Sequence, residues 1–278
     1  MLTATRGAEG LLDPVAQIVR EIRDQAPEIT PDRVMLVGAW CRDTLHACLG
    51  HEFSTSATRD IDLAVALSGW DSYNLLARSF PRTGDSGVRF SIAGLPVDLI
   101  PFGEPEDPRG TVVPPTRGEA ISVWAFSEIF EDSRPLAVDP TLDIRCPTVP
   151  GYTAAKLAAW LDRSAWGEVK DANDLALAAY WYAESKQVED ELYDSPRGQE
   201  ILVAEEADVE RAAARLLGSD VSTVLGPERV AELMHRWPGD LEMLVHNFTA
   251  TFMPPWLSRS ERRREIVDAL TRGLAPPD

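Results

Sequence analysis

The chain has 278 residues, 44% of them hydrophobic and 26% charged, the balance of an ordinary globular protein, and no apolar run approaches the ~20 residues that cross a bilayer. A formal net charge of −18 sets the whole-protein field against nucleic acid, so an RNA partner needs a local basic patch. Three cysteines (Cys41, Cys48, Cys146) without a Cys-x-x-Cys pair, and four scattered histidines (His46, His51, His235, His246), argue against a disulfide framework and against a zinc site.

Residues 1–10 carry no basic stretch followed by an apolar core, so no signal peptide is expected, and the expected location is the cytoplasm. Asp13-Pro14 predicts a helix N-cap with a first-turn proline, followed by Val15, Ile18, Val19 and Ile22 at helical spacing. Residues 34–37 form a short apolar run that predicts a buried strand. Gly38-Ala39 turns it into a helix over 40–49, closed by Gly50. After a polar connection, residues 60–67 alternate. Ile61, Leu63, Val65 and Leu67 share one face, and Asp60, Asp62, Ala64 and Ala66 the other.

Asp71 is a candidate cap for a helix ending near Ser79. Residues 88–93 and 96–102 predict a hairpin turning at Gly94-Leu95. Residues 103–118 read as a loop, and 121–130 and 135–145 as further strand. At Thr148-Val149-Pro150 the character changes to helix, over 152–163 and 170–186, with Gly218, Gly226 and Pro238 as later breaks. The expected fold class is therefore α/β (α+β): an N-terminal α/β part over 1–149, then an all-helical part over 150–278.

Asp60-Ile61-Asp62 is the strongest chemical signal. Aspartates at i and i+2 of a strand project from one face, where their repulsion is costly unless a cation sits between them. A solvated strand face is the ordinary explanation for such a pair. Asp98, between Val97 and Leu99 in the second hairpin arm, adds a third carboxylate if that arm pairs beside residues 60–67. Three such carboxylates are a ligand set for two magnesium ions. Gly38-Ala39 suits phosphate binding at a helix start, where backbone N–H groups are free. Arg42-Asp43 follows one turn on, either orienting phosphate and bracing the loop or forming a surface ion pair. Arg259, Arg262, Arg263 and Arg264 form the only dense basic cluster, a solvated helix face or a groove for an acceptor RNA.

Taken together, the segments Leu36-Val37-Gly38-Ala39-Trp40-Cys41-Arg42-Asp43, Thr58-Arg59-Asp60-Ile61-Asp62-Leu63 and Val97-Asp98-Leu99 resemble the DNA polymerase β-type nucleotidyltransferase superfamily. The resemblance covers about the first hundred residues and implies a small mixed β-sheet core flanked by helices, with a helical C-terminal region completing the nucleotide cleft. It implies catalytic and metal-binding roles for Asp60, Asp62 and Asp98, two Mg²⁺ ions, and a nucleoside triphosphate, ATP included, held near Gly38, Ala39, Arg42 and Asp43. Lys156, Arg163 and Lys170-Asp171-Ala172-Asn173-Asp174 further resemble the closing element of AbiEii-like abortive-infection toxins. That likeness implies that Lys156 contacts the triphosphate, with Asp171 or Asp174 in support, and that the chain is the toxin of a toxin–antitoxin pair. Its partners would be an acceptor such as tRNA or protein and a cognate antitoxin, with no membrane.

Val37-Gly38-Ala39-Trp40-Cys41-Arg42-Asp43 is also similar to the opening helix of CCA-adding tRNA nucleotidyltransferases. Ala39 departs from the Gly-Gly of those enzymes and from the Gly-Ser of many toxins, which removes a hydroxyl donor to phosphate. The same residues are compatible with transfer to an aminoglycoside-type small molecule, which a negative protein would attract. They are also compatible with a non-catalytic nucleotide-binding protein that kept the fold.

Overall fold

The computed structural model describes residues 10–53, 55, 60–84, 86–115, 118–249 and 254–275. Residues 1–9 and Thr58-Arg59 of the second motif lie outside the described residues. The chain is mixed α/β with a helical C-terminal region, and divides into two compact units, Met1–Thr148 and Val149–Asp278.

The first unit contains strands β1 (Val34–Val37), β2 (Ile61–Leu67), β3 (Arg89–Ile92) and β4 (Leu95–Gly103), the short pair β5 (Thr111–Val112) and β6 (Ile121–Ser122), then β7 (Arg134–Asp139) and β8 (Leu142–Cys146). Six of them form one mixed sheet in the order β3-β4-β2-β1-β8-β7. β1 runs antiparallel to β2 and parallel to β8, while β2 runs parallel to β4. Val34, Met35 and Leu36 are fully buried, because β1 is central and covered on both faces, which its unbroken apolar run requires. Ile61, Leu63, Val65 and Leu67 are buried as their alternation predicts, and Ala64 on the opposite face is buried too.

Among the described residues, the helices α1 (Asp13–Gln25), α2 (Gly38–Cys48), α3 (Trp70–Ser79) and α4 (Phe126–Asp132) belong to this unit. α1 buries Val15, Ile18, Val19 and Ile22, the expected stripe. Asp13 is its first helical residue and Leu12 the cap, so the carboxylate acts on the helix dipole from inside the first turn. Asp71 likewise stands in the first turn of α3 behind a Gly69 cap. The expected strand over 121–130 shrinks to Ile121–Ser122, and Phe126–Asp132 is helical. Phe126, Ile129 and Phe130 recur at helical spacing there, and the rings of Phe126 and Phe130 pack 5.9 and 5.5 Å from Phe102.

The second unit is α5 (Val149–Arg163), α6 (Lys170–Ala183), α7 (Lys186–Asp194), α8 (Pro196–Ala204), α9 (Val209–Arg236), α10 (Glu242–Asn247) and α11 (Ser260–Leu274). The single helix expected over 170–186 ends at Ala183, because the Ser185 side chain accepts from the Val188 N–H and starts α7. Gly226 (φ 71°), followed by Pro227, kinks α9. Gly218, expected as a break, lies inside α9 and serves packing instead. A Cβ on it would fall 2.2 Å from the Leu270 carbonyl oxygen, and one on Gly273 of α11 would fall 2.1 Å from the Arg215 carbonyl oxygen. The two glycines let α9 and α11 cross backbone to backbone.

Beside that crossing, fully buried Glu205 receives Arg272 at 2.7 Å, Arg211 at 2.9 Å and Arg215 at 3.2 Å. Burial alone would raise its pKa, and the hydrogen bonds and charges of Arg272 and Arg211 outweigh burial and hold it below the usual range. Acidic and carbonyl oxygens likewise take up three arginines of the basic cluster, while Arg259 is exposed. Arg262 pairs with Asp208 (2.6 Å), Glu265 (2.7 Å) and Glu210 (3.1 Å). Arg263 donates to the carbonyls of Val245, Leu257 and Ser258, and Arg264 pairs with Glu242. These arginines are neither a free solvated face nor an open groove, because acidic and carbonyl oxygens of their own unit take them up. Among the described residues no helix is long and apolar enough to cross a membrane.

Helix propensity makes Gly→Ala stabilising by ~1 kcal/mol in a helix interior. At Gly218 and Gly273 the added methyl meets backbone, which cannot turn aside. Gly218→Ala and Gly273→Ala should each destabilise the second unit by about 1–3 kcal/mol in urea unfolding.

Candidate active site

Strand register builds the site. In the β1–β2 pair Asp62 stands opposite Val37, the residue before α2, and in the β2–β4 pair it stands opposite Asp98. Parallel neighbours in register present their side chains on the same face, so Asp62 and Asp98 sit side by side. Asp60, one residue ahead of β2, continues that face at the strand's entry. The third-carboxylate condition is met because β4, not β3, is the neighbour of β2.

Gly38 closes the other flank. Its φ of +67° favours glycine, and a Cβ there would lie 1.9 Å from Asp62 Oδ2. The Asp62 carboxylate therefore rests against the start of α2, where first-turn N–H groups have no intrahelical partner and, with the helix dipole, favour negative charge. Ala39, next along α2, is half-buried and adds no side-chain donor. Arg42 is buried, and its Nε donates to Asp43 Oδ1 at 2.8 Å, which also accepts from Thr55 Oγ1 at 2.5 Å. Of the two readings of Arg42-Asp43, the geometry favours the brace over a surface ion pair, since the motif ties α2 to the loop that leads toward Asp60.

Arg89 is a site residue that local sequence pattern does not reveal. From β3 its Nε and Nη2 donate to Asp98 Oδ1 and Oδ2 at 2.8 and 2.9 Å, and Nη2 also lies 2.8 Å from Asp60 Oδ2. The fork is bidentate to Asp98, its direct partner across the β3–β4 hairpin. Its hydrogen bond to Asp98, with the charges of Asp98, Asp60 and Asp62, raises an already high pKa against the pull of burial. The signal that could have found it is the turn. Ala93 (φ 52°) and Gly94 (φ 74°) form it, one residue earlier than the expected Gly94-Leu95. In a hairpin that shift moves the pairing by two residues and brings Arg89, rather than Ser91, opposite Asp98.

A histidine pocket is the second unexpected feature. His46 lies on the buried side of α2, its Nε2 3.1 Å from the Phe53 carbonyl oxygen and its ring beside those of His51 and Phe53. Burial, with the neighbouring His51, lowers its pKa to about 4, so the ring is neutral near pH 7 and braces the α2 exit. Hard oxygen donors on one face suit magnesium, yet among the described residues no three His, Cys, Asp or Glu side chains are grouped closely enough to hold an ion as they stand. The Arg89 guanidinium lies between Asp60 and Asp98 and would have to leave for the set to close.

The second unit gathers its own expected residues. Lys156 of α5 lies 2.6 Å from Asp174 and 3.4 Å from fully buried Asp171, which also receives Arg163 at 3.2 Å. Two cations thus face two carboxylates, and this group ties α5 to α6. Set beside known proteins, the chain matches no protein-family model and no curated protein.

Gly38→Ala should cost about 1–3 kcal/mol, from left-handed strain plus collision with Asp62, whereas Gly50→Ala, also at positive φ but with open space around it, should show the strain alone. Paired urea titrations measure the difference, and equal losses would mean that Gly38 does not confine Asp62.

Proposed function

We infer that this chain is a divalent-metal-dependent nucleotidyltransferase, which moves a nucleotide from a nucleoside triphosphate to an acceptor. One observation carries the reading: Asp62 and Asp98 share a face of neighbouring strands, and a glycine-initiated helix start packs on Asp62. Asp60, Asp62 and Asp98 would hold magnesium, which when bound supplies charge neutralisation for the triphosphate and the departing pyrophosphate. The N–H groups at the start of α2 would take phosphate oxygens, with the Arg42-Asp43-Thr55 bonds keeping that helix end in place. Asp98, placed beside Asp62, would orient the acceptor group and take its proton as it attacks the α-phosphate in line.

The first unit carries this reading, since Lys156 is already ion-paired with Asp171 and Asp174. Charge bears on the acceptor. Arg262, Arg263 and Arg264 are engaged within their own unit, and the net charge is −18. Both favour a protein or a cationic small molecule over tRNA, although the toxin-like resemblance keeps tRNA and an antitoxin partner within the proposal.

α-Labelled nucleoside triphosphates, incubated with Mg²⁺ and total tRNA, protein or aminoglycoside-type acceptors, should label one class, and Asp62→Asn should slow that labelling by at least about 10²-fold. Near-normal transfer by the folded variant contradicts the assignment.

A further inference from the structure

We propose that Arg89 is an exchangeable counter-cation: it holds Asp60 and Asp98 together when no metal is bound, and yields them to a divalent cation while turning its guanidinium to the triphosphate. The inference deepens the nucleotidyltransferase reading, on which its second half rests.

Three features support the exchange. Arg89 makes three close contacts with two of the three carboxylates, so it stands where a bridging cation would compete. Its side chain is one-third exposed, with room to swing, while β3 pairing holds its backbone beside β4. Its single formal charge is shared between two carboxylates, Asp98 and Asp60, so a divalent cation gains more from the same oxygens. Displaced, the guanidinium keeps its planar donor fork, whose geometry matches a phosphate as well as a carboxylate. The β-strand anchor keeps that fork next to the metal-facing carboxylates, where the triphosphate of this reaction would lie. A lysine at this position would supply charge without the fork.

The test is Mn²⁺ binding by paramagnetic resonance in the whole protein, without nucleotide, for the wild type, Arg89→Met and Arg89→Lys. Binding of inorganic triphosphate is then measured at saturating Mn²⁺. Arg89→Met should bind Mn²⁺ at least about tenfold more tightly, having lost the competitor, and triphosphate at least about tenfold more weakly. Arg89→Lys should fall between on both scales, and it carries the test if the methionine variant does not fold. Unchanged or weaker Mn²⁺ binding in the folded variants overturns the counter-cation role. Tighter Mn²⁺ binding with unchanged triphosphate binding overturns the exchange. Failure of the wild type to transfer any nucleotide would strike the catalytic reading instead, because the Mn²⁺ titration needs no turnover.

Discussion

Like charges crowded on one sheet face repel, and the first unit is organised around that repulsion. Asp62 and Asp98 are forced side by side by the parallel register of β2 and β4, and Asp60 extends the same face. The fold meets the cost from two directions. Arg89 grips Asp98 and Asp60 from the neighbouring hairpin strand, and the N-terminus of α2 abuts Asp62. Each compensation constrains sequence elsewhere. The hairpin must turn at Ala93-Gly94 to bring Arg89 opposite Asp98, and residue 38 must be glycine to admit the Asp62 carboxylate. A structural protein gains little from such an arrangement, whereas a site for a metal–triphosphate complex gains the concentration of charge itself.

Much of this face was legible in the sequence because it depends on short-range rules. Period-two alternation placed Ile61, Leu63, Val65 and Leu67 inward, and apolar continuity marked β1 as buried. Arg89 was not legible, since its role depends on hairpin register, and one residue of error in the turn exchanges its partner. The helix at Phe126–Asp132 was missed because β-prone aromatic residues can satisfy either period until Phe102 supplies a partner. Gly218 shows the opposite failure: a helix-breaking residue by propensity, it becomes a requirement once α11 crosses α9. Such contacts join residues far apart in the chain, and local pattern has no access to them.

The second unit spends its charge differently. Glu205 with Arg211, Arg215 and Arg272, and Arg262 with Asp208, Glu210 and Glu265, convert what reads as a basic tract into internal ion pairing. Lys156, Arg163, Asp171 and Asp174 do the same between α5 and α6. A dense run of arginines is thus a poor guide to a nucleic-acid surface in a chain this acidic, where a cation such as Arg262 meets several carboxylates of its own unit.

The central claim is that the face formed by Asp60, Asp62 and Asp98 seats a metal–triphosphate complex. Calorimetric titration of the four nucleoside triphosphates, with and without Mg²⁺, into the wild type and an Asp62→Asn/Asp98→Asn variant tests it most directly. The account predicts Mg²⁺-dependent binding of at least one triphosphate to the wild type and at least a tenfold loss in the folded double variant, about 1.4 kcal/mol. Equal binding by both proteins, or binding by the wild type indifferent to Mg²⁺, would contradict it.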